Sequence, residues 1–367
     1  MAANADRKRL TCLLALGMIL VIAAGLRIHG IALRSMSNDE LGTLETTAGR
    51  GQIHLTLPRN IAFTPPPAVT SMNGAAPAWK VPLVMQSDVH PPLYFIALRL
   101  WQDIFGNSDA ASRAMSALAG TLCVLAIFDV GRLLNGAAAG LWAALLMAIA
   151  QPQVIESQDA RPYALAILLL LAAADALIRV VTTVDGRGED ISRRVRTADQ
   201  SLWRSAKRTL HPPSFLLCVF LATACLTHYF ILPAIAALGV YALISHRPKV
   251  LISFAIAGAI VLILWGFGMW EQRHNFSDPW MYWMTDTDPH HVTTTLMRFA
   301  ALPIRFLAEP IGVNANAVAA VVYVLPWLLC KRRPEMALLG SWLLGCATSP
   351  AHVGESESTS TWSGSVK

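Results

Sequence analysis

Charged residues are scarce in this chain. Asp, Glu, Lys and Arg together make up 14% of its 367 residues, against about 25% in a soluble globular protein. With 54% of the residues hydrophobic, an ordinary soluble domain is excluded. Disorder is excluded by the same figures, since it requires low hydrophobicity and high charge. Paired cysteines are also lacking. Cys12, Cys123, Cys218, Cys225, Cys330 and Cys346 all lie inside apolar stretches with no CxxC spacing. They read as small buried hydrophobes, not as a disulfide framework or a metal site. No internal repeat stands out, which argues against a transporter built from inverted halves. No small-residue cleavage pattern follows the first apolar run, which argues against a removed signal peptide.

What is present is a series of long apolar runs, at about 10–28, 112–134, 140–157, 163–181, 214–231, 232–245, 250–270, 312–330 and 335–349. A helix needs about 20 apolar residues to cross ~30 Å of hydrocarbon, so the expected fold is an all-α polytopic membrane protein with about nine spans. The run Leu93–Phe105 is too short, at roughly 20 Å as a helix, and carries Arg99 and Asp103.

Charge placement then sets the topology. If Leu93–Phe105 lies flat on the outer surface, Arg7-Lys8-Arg9, Arg132, the stretch 187–208, His246-Arg247-Pro248-Lys249 and Lys331-Arg332-Arg333 all face the cytoplasm, as the positive-inside rule requires. The net charge of +6 is thus a topology signal, and nucleic acid is not an expected partner. Leu93–Phe105 becomes an interfacial helix, with Tyr94, Phe95 and Trp101 suited to the headgroup layer. The same logic places 291–309 on the outer surface.

The expected organisation is a first span (1–33), an outer loop (34–111) with its interfacial helix, and a membrane module (112–270) with a cytoplasmic linker (182–212). A second outer loop (271–311), a short membrane part (312–350) and a disordered serine-rich tail (351–367) follow.

Ionisable groups at the outer ends of spans are the candidates for chemistry. Asp39 and Glu40 follow Ser37-Asn38; these residues suit a helix N-cap with acids in the first turn, or a carboxylate base at the membrane surface. His90-Pro91-Pro92 opens the interfacial helix, as tandem prolines can in a first turn. His211-Pro212-Pro213 repeats the pattern on the cytoplasmic side with no evident chemistry.

Asp159, Arg161 and Tyr163 lie within one outer loop with Glu156. They read as a surface ion pair, or as a phosphate site exploiting the planar fork of arginine. His228 ends another span, where histidine commonly hydrogen-bonds at headgroup level. Arg298, Arg305 and Glu309 share a helical face and could pair with one another or with phosphate. Asp286, Asp288, His290 and His291 include metal-ligand types but match no strict metal spacing. Asp129 with Arg132, and Asp175 with Arg179, read as structural ion pairs at the cytoplasmic ends.

In order along the chain, Asp39-Glu40, His90-Pro91-Pro92-Leu93-Tyr94, Phe105-Gly106-Asn107-Ser108 with Arg113, and Gln158-Asp159-Ala160-Arg161-Pro162-Tyr163 resemble a known group. These motifs look like those of the GT-C fold membrane glycosyltransferases of the protein O-mannosyltransferase and aminoarabinose transferase type, glycosyltransferase family 39-like. The resemblance runs from about residue 10 to 270.

The resemblance implies an inverting hexosyl or pentosyl transferase in a cell membrane, of the bacterial inner-membrane kind, with a cytoplasmic N-terminus. It would move a sugar from a polyprenyl-phosphate carrier to an extracytoplasmic protein, lipid or glycan, without a cofactor. Asp39, with Glu40, would supply the base. Arg161, His228 and Arg298 would hold the donor phosphate, with Asp159, His90 and Tyr163 in support. Relatives of this type run longer at the C-terminus, so a truncated inactive relative is one alternative; a lipid-linked-sugar flippase or transporter is another.

Overall fold

A computed structural model describes residues 2–58, 61–65, 67–85, 88–184, 213–245 and 248–275. The expected runs at 312–330 and 335–349, Arg298, the 286–291 cluster, the 291–309 segment, nearly all of the 182–212 linker and the 351–367 tail lie outside them. Among the described residues there is no strand. The chain is an all-α polytopic membrane protein, with four helices among the described residues long and apolar enough to cross a membrane.

Helix α1 (Ala2–Ile28) leads to the short α2 (Asn38–Thr47) and then to a loop carrying 3-10 turns at Ile53–Thr56 and Ala78–Val84. Arg50 organises that loop by donating to the carbonyls of Ala68, Ser71 and Asn73. The buried Glu45 carboxylate ties the first turn to α2 through His54, at 2.7 Å from Nδ1. Helix α3 (Leu93–Phe105) follows, then α4 (Asp109–Asn135), α5 (Ala137–Ile149), α6 (Gln151–Ser157) and α7 (Tyr163–Val184). After the linker come α8 (Pro213–Cys225), α9 (Leu232–Ile244) and α10 (Leu251–Asn275).

Helix α4 is the centre of the bundle, packed by α1, α5 and α7, while α8 packs on α7 and α10 on α8. Gly136, at φ +88°, supplies the left-handed residue that ends α4 and starts α5. A Cβ on Gly131 would lie 2.9 Å from the Gly140 Cα. The two glycines therefore let the α4 and α5 backbones touch, the small-residue packing that membrane helices favour.

Three expectations are corrected. The run at 140–157 is not one straight span, because α5 and α6 meet at 61°. Pro152 sits in the first turn of α6, where it supplies no N–H to continue the α5 ladder. Carbonyls of Met147 and Ala148, at the end of α5, accept instead from the buried Arg27 of α1 at 3.1 Å. The run at 214–231 is likewise interrupted, since α8 ends at Cys225 and a 3-10 turn (Tyr229–Ile231) precedes α9. Finally, Tyr94 and Phe95 do not face a headgroup layer. Both are fully buried in the protein, with the Tyr94 hydroxyl 3.1 Å from Ser116 Oγ. The exposed apolar side chains of α3 are Leu100, Ile104 and Phe105.

At the far end of α4 and α7, Asp129 pairs with Arg132 and Asp175 with Arg179, and Arg179 also reaches Asp129. The four form a structural clasp between the two helices.

Candidate functional site

Ser37 starts α2 with a reciprocal capping box. Its hydroxyl accepts from the Glu40 N–H, and the Glu40 carboxylate accepts from the Ser37 N–H. The expected cap and the acidic first turn are thus the same feature. This geometry gives the two neighbouring carboxylates opposite surroundings.

Glu40 points inward and is fully buried. Its Oε1 and Oε2 accept from Arg113 Nε and Nη2, each at 2.7 Å, and Oε1 also accepts from the Ala160 N–H at 2.9 Å. Arg113 in turn donates to the carbonyls of Ile31, Arg34 and Ser35. One buried pair therefore joins the α1–α2 connection, α4 and the loop before α7. Burial would raise the Glu40 carboxyl, but its hydrogen bonds from Arg113, Ala160 and Ser37 outweigh that and hold it below the ordinary value.

Asp39 points outward, with 71% of its side chain exposed, and its Oδ2 lies 3.2 Å from Arg161 Nη2. The Arg161 side chain is only 11% exposed. Its Nη1 donates to the Asp39 carbonyl at 3.2 Å and to Thr43 Oγ1 at 3.3 Å, and its Nη2 donates to the Tyr163 hydroxyl at 3.1 Å. Its Nε–H is buried with no hydrogen-bond partner among the described residues. Asp159, two residues earlier, pairs with Arg34 at 3.2 Å.

Beyond Tyr163 the contacts continue through rings. Tyr163 lies 5.1 Å from His228, and His228 lies 5.0 Å from His90, edge to face. His228 is 4% exposed. Its Nδ1 accepts from the Phe230 N–H at 3.0 Å, and its Nε2 has no hydrogen-bond partner among the described residues. Burial, and then the charge of Arg161, push the His228 imidazole well below the usual histidine range. It is therefore neutral, with its proton on Nε2.

His90 is held differently. Asp88 Oδ1 accepts from both the backbone N–H (3.0 Å) and Nδ1 (2.8 Å) of His90. Burial of Asp88 is outweighed by these bonds and by the positive charge of Arg161, so its carboxyl sits below the ordinary value. The loop itself is clamped from two sides. Leu93 N–H donates to the Leu226 carbonyl at 2.9 Å. Gln272 of α10 donates to the carbonyls of Met85 (3.2 Å) and His90 (2.9 Å), while its Oε1 accepts from the Tyr229 hydroxyl at 2.8 Å.

Asp39, Glu40, His90, Asp159, Arg161, Tyr163 and His228 thus gather at one end of the bundle. Arg113, part of the sequence motif with Phe105-Gly106-Asn107-Ser108, joins them, as do Asp88, Arg34 and Gln272, which were not singled out from the sequence. Of these only Asp88 carries a local signal: it lies two residues before His90, the spacing at which an aspartate caps the backbone N–H of a turn. Among the described residues, no three His, Cys, Asp or Glu side chains are grouped to hold a metal ion.

Residues 89–188 match the sequence profile of the dolichyl-phosphate-mannose-protein mannosyltransferase family. This is a family of membrane glycosyltransferases of GT-C type. The match takes in His90, Arg113, Asp159, Arg161 and Tyr163, and leaves Asp39, Glu40 and His228 outside it. No curated protein matches the chain.

Proposed function

We propose that the chain is an inverting glycosyltransferase that moves a sugar from a polyprenyl-phosphate carrier to an acceptor hydroxyl on the extracytoplasmic side. The observation that carries this reading is the Asp39–Arg161 pair, which sets an exposed carboxylate 3.2 Å from a largely buried guanidinium with an unused Nε–H. Inverting transfer needs both functions within one site. A carboxylate takes the proton of the attacking hydroxyl, and fixed donors neutralise the charge that grows on the departing phosphate.

The bond that breaks joins the sugar's anomeric carbon to the phosphate oxygen, whose electron pair leaves with the phosphate. The acceptor oxygen attacks the same carbon from the opposite face, and its proton goes to Asp39. Arg161 faces the phosphate, with the Tyr163 hydroxyl and then the His228 ring beside it; Asp159 holds Arg34 nearby. In this assignment Glu40 belongs to the scaffold, because all its contacts are inward. Arg298 is retained as a further phosphate ligand on the sequence pattern alone. Arg7, Lys8 and Arg9 at the start of α1 and Arg132 at the end of α4 lie at the helix ends away from the site, which supports an outward-facing site. A site at the membrane edge also suits a carrier whose tail stays in the bilayer.

The reading is tested by incubating purified protein with radiolabelled polyprenyl-phosphate sugars and cell-envelope acceptors. Label should pass to an acceptor with wild type and not with Asp39→Asn, at unchanged thermal stability. Equal transfer by the variant would remove Asp39 as the base, and carrier movement without transfer would point to a flippase.

A further inference from the structure

His90 and His228 stand 5.0 Å apart, edge to face, and each has one ring nitrogen committed to the protein. The commitments are of opposite kind. Asp88, a carboxylate, can only accept, so the 2.8 Å contact fixes a proton on His90 Nδ1. The Phe230 N–H can only donate, so the 3.0 Å contact leaves His228 Nδ1 bare and puts its proton on Nε2. In the neutral rings the remaining nitrogens therefore differ: His90 Nε2 is an acceptor, and His228 Nε2–H is a donor with no protein partner despite its burial. A buried donor left empty costs free energy, and a hydroxyl group is the simplest partner that answers both nitrogens at once, donating to one and accepting from the other.

We propose that His90 and His228 form an acceptor–donor pair for one hydroxyl of the carried sugar, and that Asp88 is the positioning residue that fixes His90 in the required tautomer. This rests on reading the site as one for a lipid-linked sugar. It separates the roles within the site: Arg161 meets the phosphate common to every carrier, whereas the histidine pair reads the sugar. Gln272 and the Leu93–Leu226 bond serve the same end, because they hold the His90 backbone against α8 and α10. A site built to hydrogen-bond a hydroxyl discriminates strongly against ligands that lack it, since its own polar groups are then left unpaired.

The test uses the full chain in lipid nanodiscs and two measurements. Histidine 15N spectra, assigned with His90→Gln and His228→Gln, should show His90 protonated on Nδ1 alone and His228 on Nε2 alone. Asp88→Ala should let His90 populate both tautomers, and Asp88→Asn, which keeps an accepting oxygen, should restore the wild-type pattern. Binding is then measured with dolichyl phosphate carrying mannose, glucose or no sugar.

His228→Phe and Asp88→Ala should weaken the preferred sugar-bearing carrier about tenfold while changing the sugar-free carrier by less than about twofold. A doubly protonated His90 or the opposite tautomers would overturn the proposal, as would equal loss for all carriers. Wild-type protein that binds the sugar-free carrier as tightly as the sugar-bearing ones overturns sugar reading at this pair alone. Protein that binds no carrier overturns both the pair and the proposed transfer.

Discussion

Glu40 and Arg113 lie far apart in sequence, yet both Glu40 carboxylate oxygens are gripped by one guanidinium at 2.7 Å in the centre of the protein. Neither side chain is exposed. Removing one partner from such a pair strands the other's charge, at a cost of about 3–5 kcal/mol. Arg113→Ala and Glu40→Ala should each lower the melting temperature in detergent sharply. Asp39→Asn, at the adjacent but exposed position, should leave it within error. Equal melting temperatures across the three variants would show that the buried pair does not hold α2 to α4.

Arg161 offers a planar fork, not merely a charge. It spans the Asp39 carbonyl, Thr43 Oγ1 and the Tyr163 hydroxyl at 3.1–3.3 Å. Lysine keeps the charge but cannot make those bonds together. Arg161→Lys should therefore lower kcat for sugar transfer by about 100-fold, measured with saturating carrier, with a smaller change in KM. A loss confined to KM would mean that Arg161 binds the carrier equally in the ground and transition states.

Acid should destabilise the protein in two stages. His228 is held neutral below the usual histidine range by burial and by nearby positive charge. The unfolded chain thus binds a proton that the folded chain refuses. Its contribution is complete above about pH 6.5 and is lost as pH falls below that value. Glu40 and Asp88, depressed mainly by their partners against the effect of burial, contribute fully above about pH 4.3 and lose their contribution as pH falls through their folded values. Melting temperature against pH should show a shallow loss beginning near 6.5 and a steeper one below about 4.3. His228→Phe should flatten the first limb and Glu40→Gln should reduce the second.

Much of the helical layout is legible in the sequence, because membrane helices announce themselves as uninterrupted apolar runs. The break at Ala150 was masked by that same apolarity, although Pro152 inside the run is its local cause. The buried face of α3 misled for a physical reason. It includes the polar Arg99 and Gln102 beside Tyr94, Phe95 and Leu98, so the apolar stripe does not mark the packed side. At the candidate site, position at helix ends was enough to single out Asp39, His90, Arg161 and His228. What composition could not divide was the labour of Asp39 and Glu40, since adjacent helical residues point about 100° apart and only the partner on α4 decides which one is buried. Arg113 and Gln272 act through contacts with residues distant in sequence, and such pairings leave no local pattern.

Gln272 provides the most direct way to ask whether the His90 loop must be held rigid. From the end of α10 it donates to the carbonyls of Met85 and His90 and accepts from Tyr229, whose hydroxyl also accepts from Trp265 Nε1 at 2.9 Å. Gln272→Leu preserves approximate size but leaves the His90 carbonyl without a donor and the Tyr229 O–H without an acceptor, a penalty of about 1–3 kcal/mol for each group that stays buried, while the Met85 carbonyl keeps the Asp88 N–H at 3.1 Å. The loop can avoid that penalty by moving outward to water, which carries Asp88 and His90 away from His228. Transfer activity should then fall by more than the loss of stability explains, and cleavage by a protease in the segment 85–92 should accelerate in the folded protein. Gln272→Glu keeps the oxygen for Tyr229 but places a negative charge against two carbonyls, and should be worse than leucine. If Gln272→Leu retains full transfer and an uncleaved loop, the bond between Leu93 and Leu226 alone is sufficient to hold His90 in place.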